Sequence, residues 1–197
     1  MSMIRTFIAI HLTPEILAEL RRTQEALRAT TGGPAGRWVS PANLHLTVKF
    51  LGDVDGARLP EIYATVDTVA DNYGPLTLTL SELGCFPHER QPRIVWAGIT
   101  EPSGQLQRLA EQLDLALSSL GYARESRPFR PHLTLARVNE RAPRDQVAAL
   151  GQAAMSYQLE PRTMVARAVA VVRSDLRPQG PLYTDLHLAA LSGATPH

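Results

Sequence analysis

Along the chain, stretches in which apolar and polar residues alternate give way repeatedly to stretches in which apolar residues recur every three to four positions. Residues 3–12 alternate weakly and are rich in β-formers, which predicts a first strand. Thr13-Pro14 then opens a helix with proline in its first turn, and Ile16, Leu17, Leu20, Ala26 and Leu27 keep helical spacing. The glycine-rich stretch 31–36 ends that helix and starts a loop through Trp38 and Pro41. A second strand over residues 43–52 sets Leu44, Leu46, Val48 and Phe50 against His45, Thr47 and Lys49, and Gly52 stops it. A helix over about 57–72 follows, with Ile62, Val66 and Val69 on one face.

Strands over 76–83 and 93–99 flank a proline-containing loop at 86–92. The most regular helix covers 102–120, where Leu106, Leu109, Leu113, Leu117 and Leu120 form one stripe and Gly121 lies beyond the end. A fifth strand at 131–138, a helix at 143–155 and a sixth strand at 162–174 come next. A loop at 176–181 leads to a seventh strand at 182–189, and 192–197 reads as a loose tail. The order is βαβαβ–βαβαββ, and each half places a strand after its first helix.

Those two strands carry nearly the same four residues. His-Leu-Thr-Val occupies 45–48 and His-Leu-Thr-Leu occupies 132–135, close to half the chain further on. For this composition, roughly 0.09 matches to His-Φ-Thr-Φ (Φ apolar) are expected by chance when patterns are counted. Two, at equivalent places, point to an internal duplication whose halves face each other.

Strand alternation puts His45 with Thr47 on one face and His132 with Thr134 on another, while Leu46 and Leu133 point into the layer beneath. Two imidazoles titrating near neutrality suit a reaction in which one takes a proton and the other gives one. Two hydroxyls between them suit the non-bridging oxygens of a phosphate, and such a site needs no metal.

Composition narrows the partners. The chain has 197 residues, 44% hydrophobic and 20% charged with net charge +1, enough for one domain or two small lobes with a real core. Near-neutrality excludes global basicity, so an anion site has to be local. The single cysteine, Cys85, excludes an internal disulfide and a cysteine-rich zinc site and suits a cytoplasmic location. The first apolar run precedes Thr-Pro with no small-residue cleavage site, so it reads as a strand and not a signal peptide; no run reaches membrane-span length. His11, His88, His187 and His197 lack the spacing of a metal motif, and Gly32–Gly36 lacks the lysine and trailing helix of a P-loop.

The paired motifs resemble those of the two-histidine phosphoesterase superfamily. Their surroundings at 5–10, Trp38, 43–52, 93–98 and 127–137 are similar to the RNA 2′,3′-cyclic phosphodiesterase, or 2′-5′ RNA ligase, family over nearly the whole chain. The resemblance implies an α+β, bilobal fold: two antiparallel-sheet-plus-helix lobes related by a pseudo-two-fold axis around a central cleft. We expect one such domain over 1–190 with one motif per half, and a flexible 191–197.

The resemblance also implies hydrolysis of the 2′,3′-cyclic phosphate at an RNA 3′ end to a 2′-phosphate, with 2′-5′ ligation of a 5′-hydroxyl end as the reverse direction. No cofactor is expected, the partners are RNA ends (tRNA halves among the candidates), and a monomer suffices. In the expected mechanism His132 is the base, His45 the acid, and Thr47 and Thr134 hold the phosphoryl oxygens; the acid and base labels can exchange. Arg130 is a further phosphate-binding candidate. Arg127 and Arg137, the best placed of six arginines at 124–144, are candidates for guiding RNA, as are Lys49, continuing the His45 face, and Trp38 at the cleft edge. By alternation Phe7 and Phe50 face the core, and Trp96 reads as packing. Alternative readings are the same chemistry on another cyclic phosphate or a 2′-5′ oligonucleotide, and a noncatalytic protein that binds RNA ends.

Overall fold

In chain order, the computed structural model contains β1 (Met3–His11), α1 (Pro14–Thr31), β2 (Gly36–Trp38), β3 (His45–Asp55), α2 (Leu59–Ala70), β4 (Leu76–Phe86), β5 (Ile94–Thr100), α3 (Gln105–Ser119), β6 (His132–Val138), α4 (Arg144–Ser156), β7 (Thr163–Ala166), β8 (Ala168–Arg177) and β9 (Gly180–Ala190). It describes residues 2–31, 35–139, 141–178 and 180–193, so half of the predicted 31–36 turn and the last four residues of the predicted tail lie outside the described residues. Among the described residues no helix is long and apolar enough to cross a membrane.

The strands form two antiparallel sheets, a first with order β3-β1-β8-β9 and a second with order β2-β6-β5-β4-β7. Helices α2 and α3 pack together against the first sheet, and α1 and α4 pack together with the second. Each lobe thus has one helix-covered face and one open face. The lobes are not contiguous halves of the sequence: β1 enters the first sheet, whereas α1 covers the second and reaches it through Gln24, whose Nε2 donates to the Val39 and Leu135 carbonyls. The second half mirrors this, with β5 in the second sheet and α3 over the first. The predicted stripe on α3 is what buries it, Leu106, Leu109, Leu113 and Leu117 being almost fully enclosed.

Several boundaries differ from the sequence pattern. The extended run at 162–174 divides at Arg167, so β7 pairs with β4 in one sheet and β8 with β1 in the other. Alternation alone gives no sign of a strand changing sheets. Gly52 does not stop β3, because its φ of +74° lets the strand bulge and continue to Asp55. β2, read as loop, is a three-residue edge strand on β6. Most of the predicted 176–181 loop belongs to the β8–β9 ladder, with Leu176 opposite Pro181 and Arg177 opposite Gly180. The start of the predicted tail is docked: Leu191 is buried, the Gly193 N–H donates to the Tyr73 carbonyl, and Ser192 donates to Asp71.

Candidate active site

β3 and β6 approach each other to within 8 Å at their Cα atoms without joining into one sheet. Each carries its motif at its first residues, and each bulges at the same place. Thr47 faces Ala9 but Lys49 faces Ile8, leaving Val48 as an extra residue; Thr134 faces Trp96 but Ala136 faces Val95, leaving Leu135 extra. A bulge inverts the facing of everything beyond it. His45 and Thr47, like His132 and Thr134, are half-buried on the open faces, with Leu46 and Leu133 fully buried behind them. After the bulge the facing reverses identically in both strands.

That inversion corrects two expectations. Lys49 does not continue the His45 face; it is 1% exposed on the helix side, where its Nζ donates to Asp114 Oδ1 at 2.6 Å and to the Ala123 carbonyl at 2.8 Å. Phe50, expected in the core, is 57% exposed on the open face, in the position that Arg137 takes on β6. Phe7 also lies on the open face, in a small apolar cluster with Ala9, Ala170 and Val172, against which Tyr183 packs.

The two histidines are held in the same way. His45 Nδ1 lies 2.8 Å from the Asn43 carbonyl and His132 Nδ1 lies 2.7 Å from the Arg130 carbonyl. A carbonyl only accepts, so Nδ1 carries the proton in both neutral rings and Nε2 is left as the acceptor nitrogen. Asn43 is itself tied down, its side-chain amide donating to the Pro181 carbonyl on β9. Among the described residues neither threonine hydroxyl has a partner in the protein.

The surroundings of the two rings differ. Phe7 stacks on His45 at 4.8 Å and Tyr183 meets it edge-on at 5.1 Å, in a pocket of about 210 Å³ with His11 and Asp185. Burial pushes the His45 imidazole below its ordinary value; the Asn43 bond opposes this, and the nearby His11 charge adds to it. Phe86 meets His132 edge-on at 5.2 Å, in a second pocket of about 320 Å³ lined also by Arg130, Phe129 and Trp96.

Arg130 therefore shares a pocket with the histidine that its own carbonyl orients, although it precedes the strand. Arg137 is exposed on the open face and bears electrostatically, with Arg5, on the Tyr183 hydroxyl of the opposite lobe; burial still holds that phenol above its ordinary value and protonated. Arg127 is exposed in the segment before β6. Trp38 is turned to the helix side, with the Arg28 guanidinium 5.2 Å from its ring centre, so it does not border either pocket.

Sequence reasoning missed His11, Tyr183 and Asp185. His11 sits directly opposite His45 in the β1–β3 ladder, and its Nε2 is 2.9 Å from Asp185 Oδ1. Only the strand pairing brings them to the site. Among the described residues no group of three or more His, Cys, Asp or Glu side chains is placed to hold a metal ion.

Two lobes repeating one element order, each presenting a His-Φ-Thr strand on its open face, define the class of two-histidine phosphoesterases. The family described as LigT-like phosphoesterase matches the chain twice, over residues 10–96 and 98–183, with one motif in each match. The chain belongs to that family. It is 33% identical over 189 residues to an RNA 2′,3′-cyclic phosphodiesterase of Methanothermobacter thermautotrophicus, covering 95% of this chain and 99% of that one. It is 35% identical over 195 residues to the protein of that name from Thermus thermophilus, covering 96% and 91%. A crystal structure of a Thermus thermophilus protein superposes with a TM-score of 0.79 at 30% identity, covering 96% and 99%. That of Escherichia coli LigT complexed with 3′-AMP gives 0.75 at 28%, covering 97% and 99%.

Proposed function

We infer that this protein hydrolyses the 2′,3′-cyclic phosphate at RNA 3′ ends to a 2′-phosphate. The observation that carries the inference is the matched pair of imidazoles on equivalent strands of the two lobes, each with Nδ1–H donated to a backbone carbonyl and, among the described residues, with Nε2 free beside an unpartnered threonine hydroxyl. Full-length relatives that bear this activity as their name support the substrate.

In the proposed reaction a water oxygen bonds to phosphorus as its proton passes to His132 Nε2. The phosphorus–O3′ bond breaks, and His45 Nε2 protonates the departing oxygen. Thr47 and Thr134 donate to the non-bridging oxygens, with Arg130 balancing their charge. Burial disfavours the charged form of His45 in the free protein, and the phosphate anion supplies the opposite charge that restores it on binding. A 5′-hydroxyl in place of water gives a 2′-5′ linkage by the same proton transfers. Both histidines come from one chain, so a monomer is sufficient, and tRNA halves ending in a cyclic phosphate have the required chemistry.

The test is an RNA oligomer ending in a 2′,3′-cyclic phosphate, incubated with the protein and a chelator and followed by phosphorus NMR. The expected product is the 2′-monophosphate alone. A 3′-monophosphate, or an unchanged cyclic end, would refute the inference.

A further inference from the structure

The pocket beside His132 contains a construction that the phosphate site does not require. The β4–β5 register slips between Leu80, which faces Ile99, and Leu83, which faces Ala97, so Ser81 and Glu82 together stand opposite Gly98. Gly98 is in turn the ladder partner of His132 on β6. Bulges of this kind re-aim side chains next to active sites. The glycine is needed here: a Cβ on Gly98 would lie 2.6 Å from Ser81 Oγ and 3.3 Å from Glu82 Oε1. On the neighbouring strand a Cβ on Gly84 would lie 2.1 Å from Trp96 Cζ2, so the indole occupies the space that this glycine leaves. Gly98 thus keeps the floor beside His132 clear and Gly84 seats the indole against the strand, while Phe86, Phe129 and Glu82 line the same pocket.

We propose that this pocket receives the nucleobase of the terminal ribonucleotide, a reading that rests on the phosphate site described above. Two strand spacings, roughly 10 Å, separate His132 from the Ser81-Glu82 bulge, about the reach of a ribose with its base. The base stacks against the Phe86, Trp96 and Phe129 side of the pocket, and its amino group donates to the Glu82 carboxylate, with the Ser81 hydroxyl as a second polar contact. A carboxylate accepts from the amino groups of adenine, cytosine and guanine. Uracil offers only an N–H flanked by two carbonyl oxygens, which the carboxylate repels. The pocket therefore selects amino-bearing bases over uracil.

Trp96 reports on this directly. In a Trp38→Phe background it is the only tryptophan, and its fluorescence is titrated with the 2′-monophosphates of adenosine, cytidine, guanosine and uridine. The expected result is quenching by all four, with the uridine nucleotide bound about tenfold more weakly. Glu82→Gln should erase that difference, and Phe129→Ala should weaken all four by about tenfold through lost stacking. Equal affinities in the wild type, or unchanged affinities in both variants, would overturn the proposal. Loss of this selectivity with cyclic-phosphate hydrolysis intact removes the base pocket alone. Selective binding without hydrolysis removes the proposed reaction instead.

Discussion

His45→Ala and His132→Ala are each expected to reduce hydrolysis of a cyclic-phosphate RNA end by about 10²- to 10⁴-fold, the usual contribution of a positioned acid or base. The double variant is expected to lose little more than either single one, because the two groups act in one transition state and their effects do not add. Neither substitution should unfold the chain. Both imidazoles sit on open sheet faces, and the residues that anchor the strands, Leu46 and Leu133, remain buried behind them. The check is single-turnover hydrolysis with circular dichroism on the same samples. Either single variant remaining within tenfold of wild type, while folded, would contradict the paired assignment.

The largest expected effect on stability lies at the residue that the bulge turned inward. Asp114 receives Lys49 Nζ and the Glu125 N–H on one oxygen and Arg124 Nε on the other. Asp114→Ala leaves an ammonium that is 1% exposed with, among the described residues, the Ala123 carbonyl as its remaining partner. Removing one partner of a buried pair costs about 3–5 kcal/mol, or about 6–20 °C in melting temperature for a chain of this size. Burial pushes the Asp114 carboxyl up, but the bonds from Lys49, the Glu125 N–H and Arg124 outweigh it and hold the group below its ordinary value. A depressed carboxylate contributes stability that is present above its unfolded pKa and lost as pH falls through its folded one. Wild type should therefore lose stability below about pH 4, and Asp114→Ala should show a shallower acid limb. Thermal melts across that range decide it; an unchanged melting temperature would contradict the role given to this pair.

The placement of the paired motifs on the open faces was legible in sequence and the facing of their neighbours was not. His45, Thr47, His132 and Thr134 lie within three residues of a strand start, where alternation holds, so period-two reasoning placed them on the same side. One residue later each strand bulges, and a rule that counts every second position then assigns Lys49 and Phe50 to the wrong sides. The helices were legible because their apolar stripes recur over several turns. The exchange of helices between lobes, the change of sheet at Arg167, and the arrival of His11, Tyr183 and Asp185 beside His45 all depend on strand pairing between distant segments. Local periodicity carries no record of that.

The most direct measurement of the two-histidine reading is the pH dependence of kcat/KM on an RNA oligomer ending in a 2′,3′-cyclic phosphate, in the presence of a chelator. Such a profile reports the free protein's ionisations. His45 is depressed by burial, so the profile should be a bell whose acid limb lies below the ordinary imidazole value of about 6.5. A profile that stays flat from about pH 5 to about pH 8, where imidazoles change charge, or activity that disappears with the chelator, would contradict it.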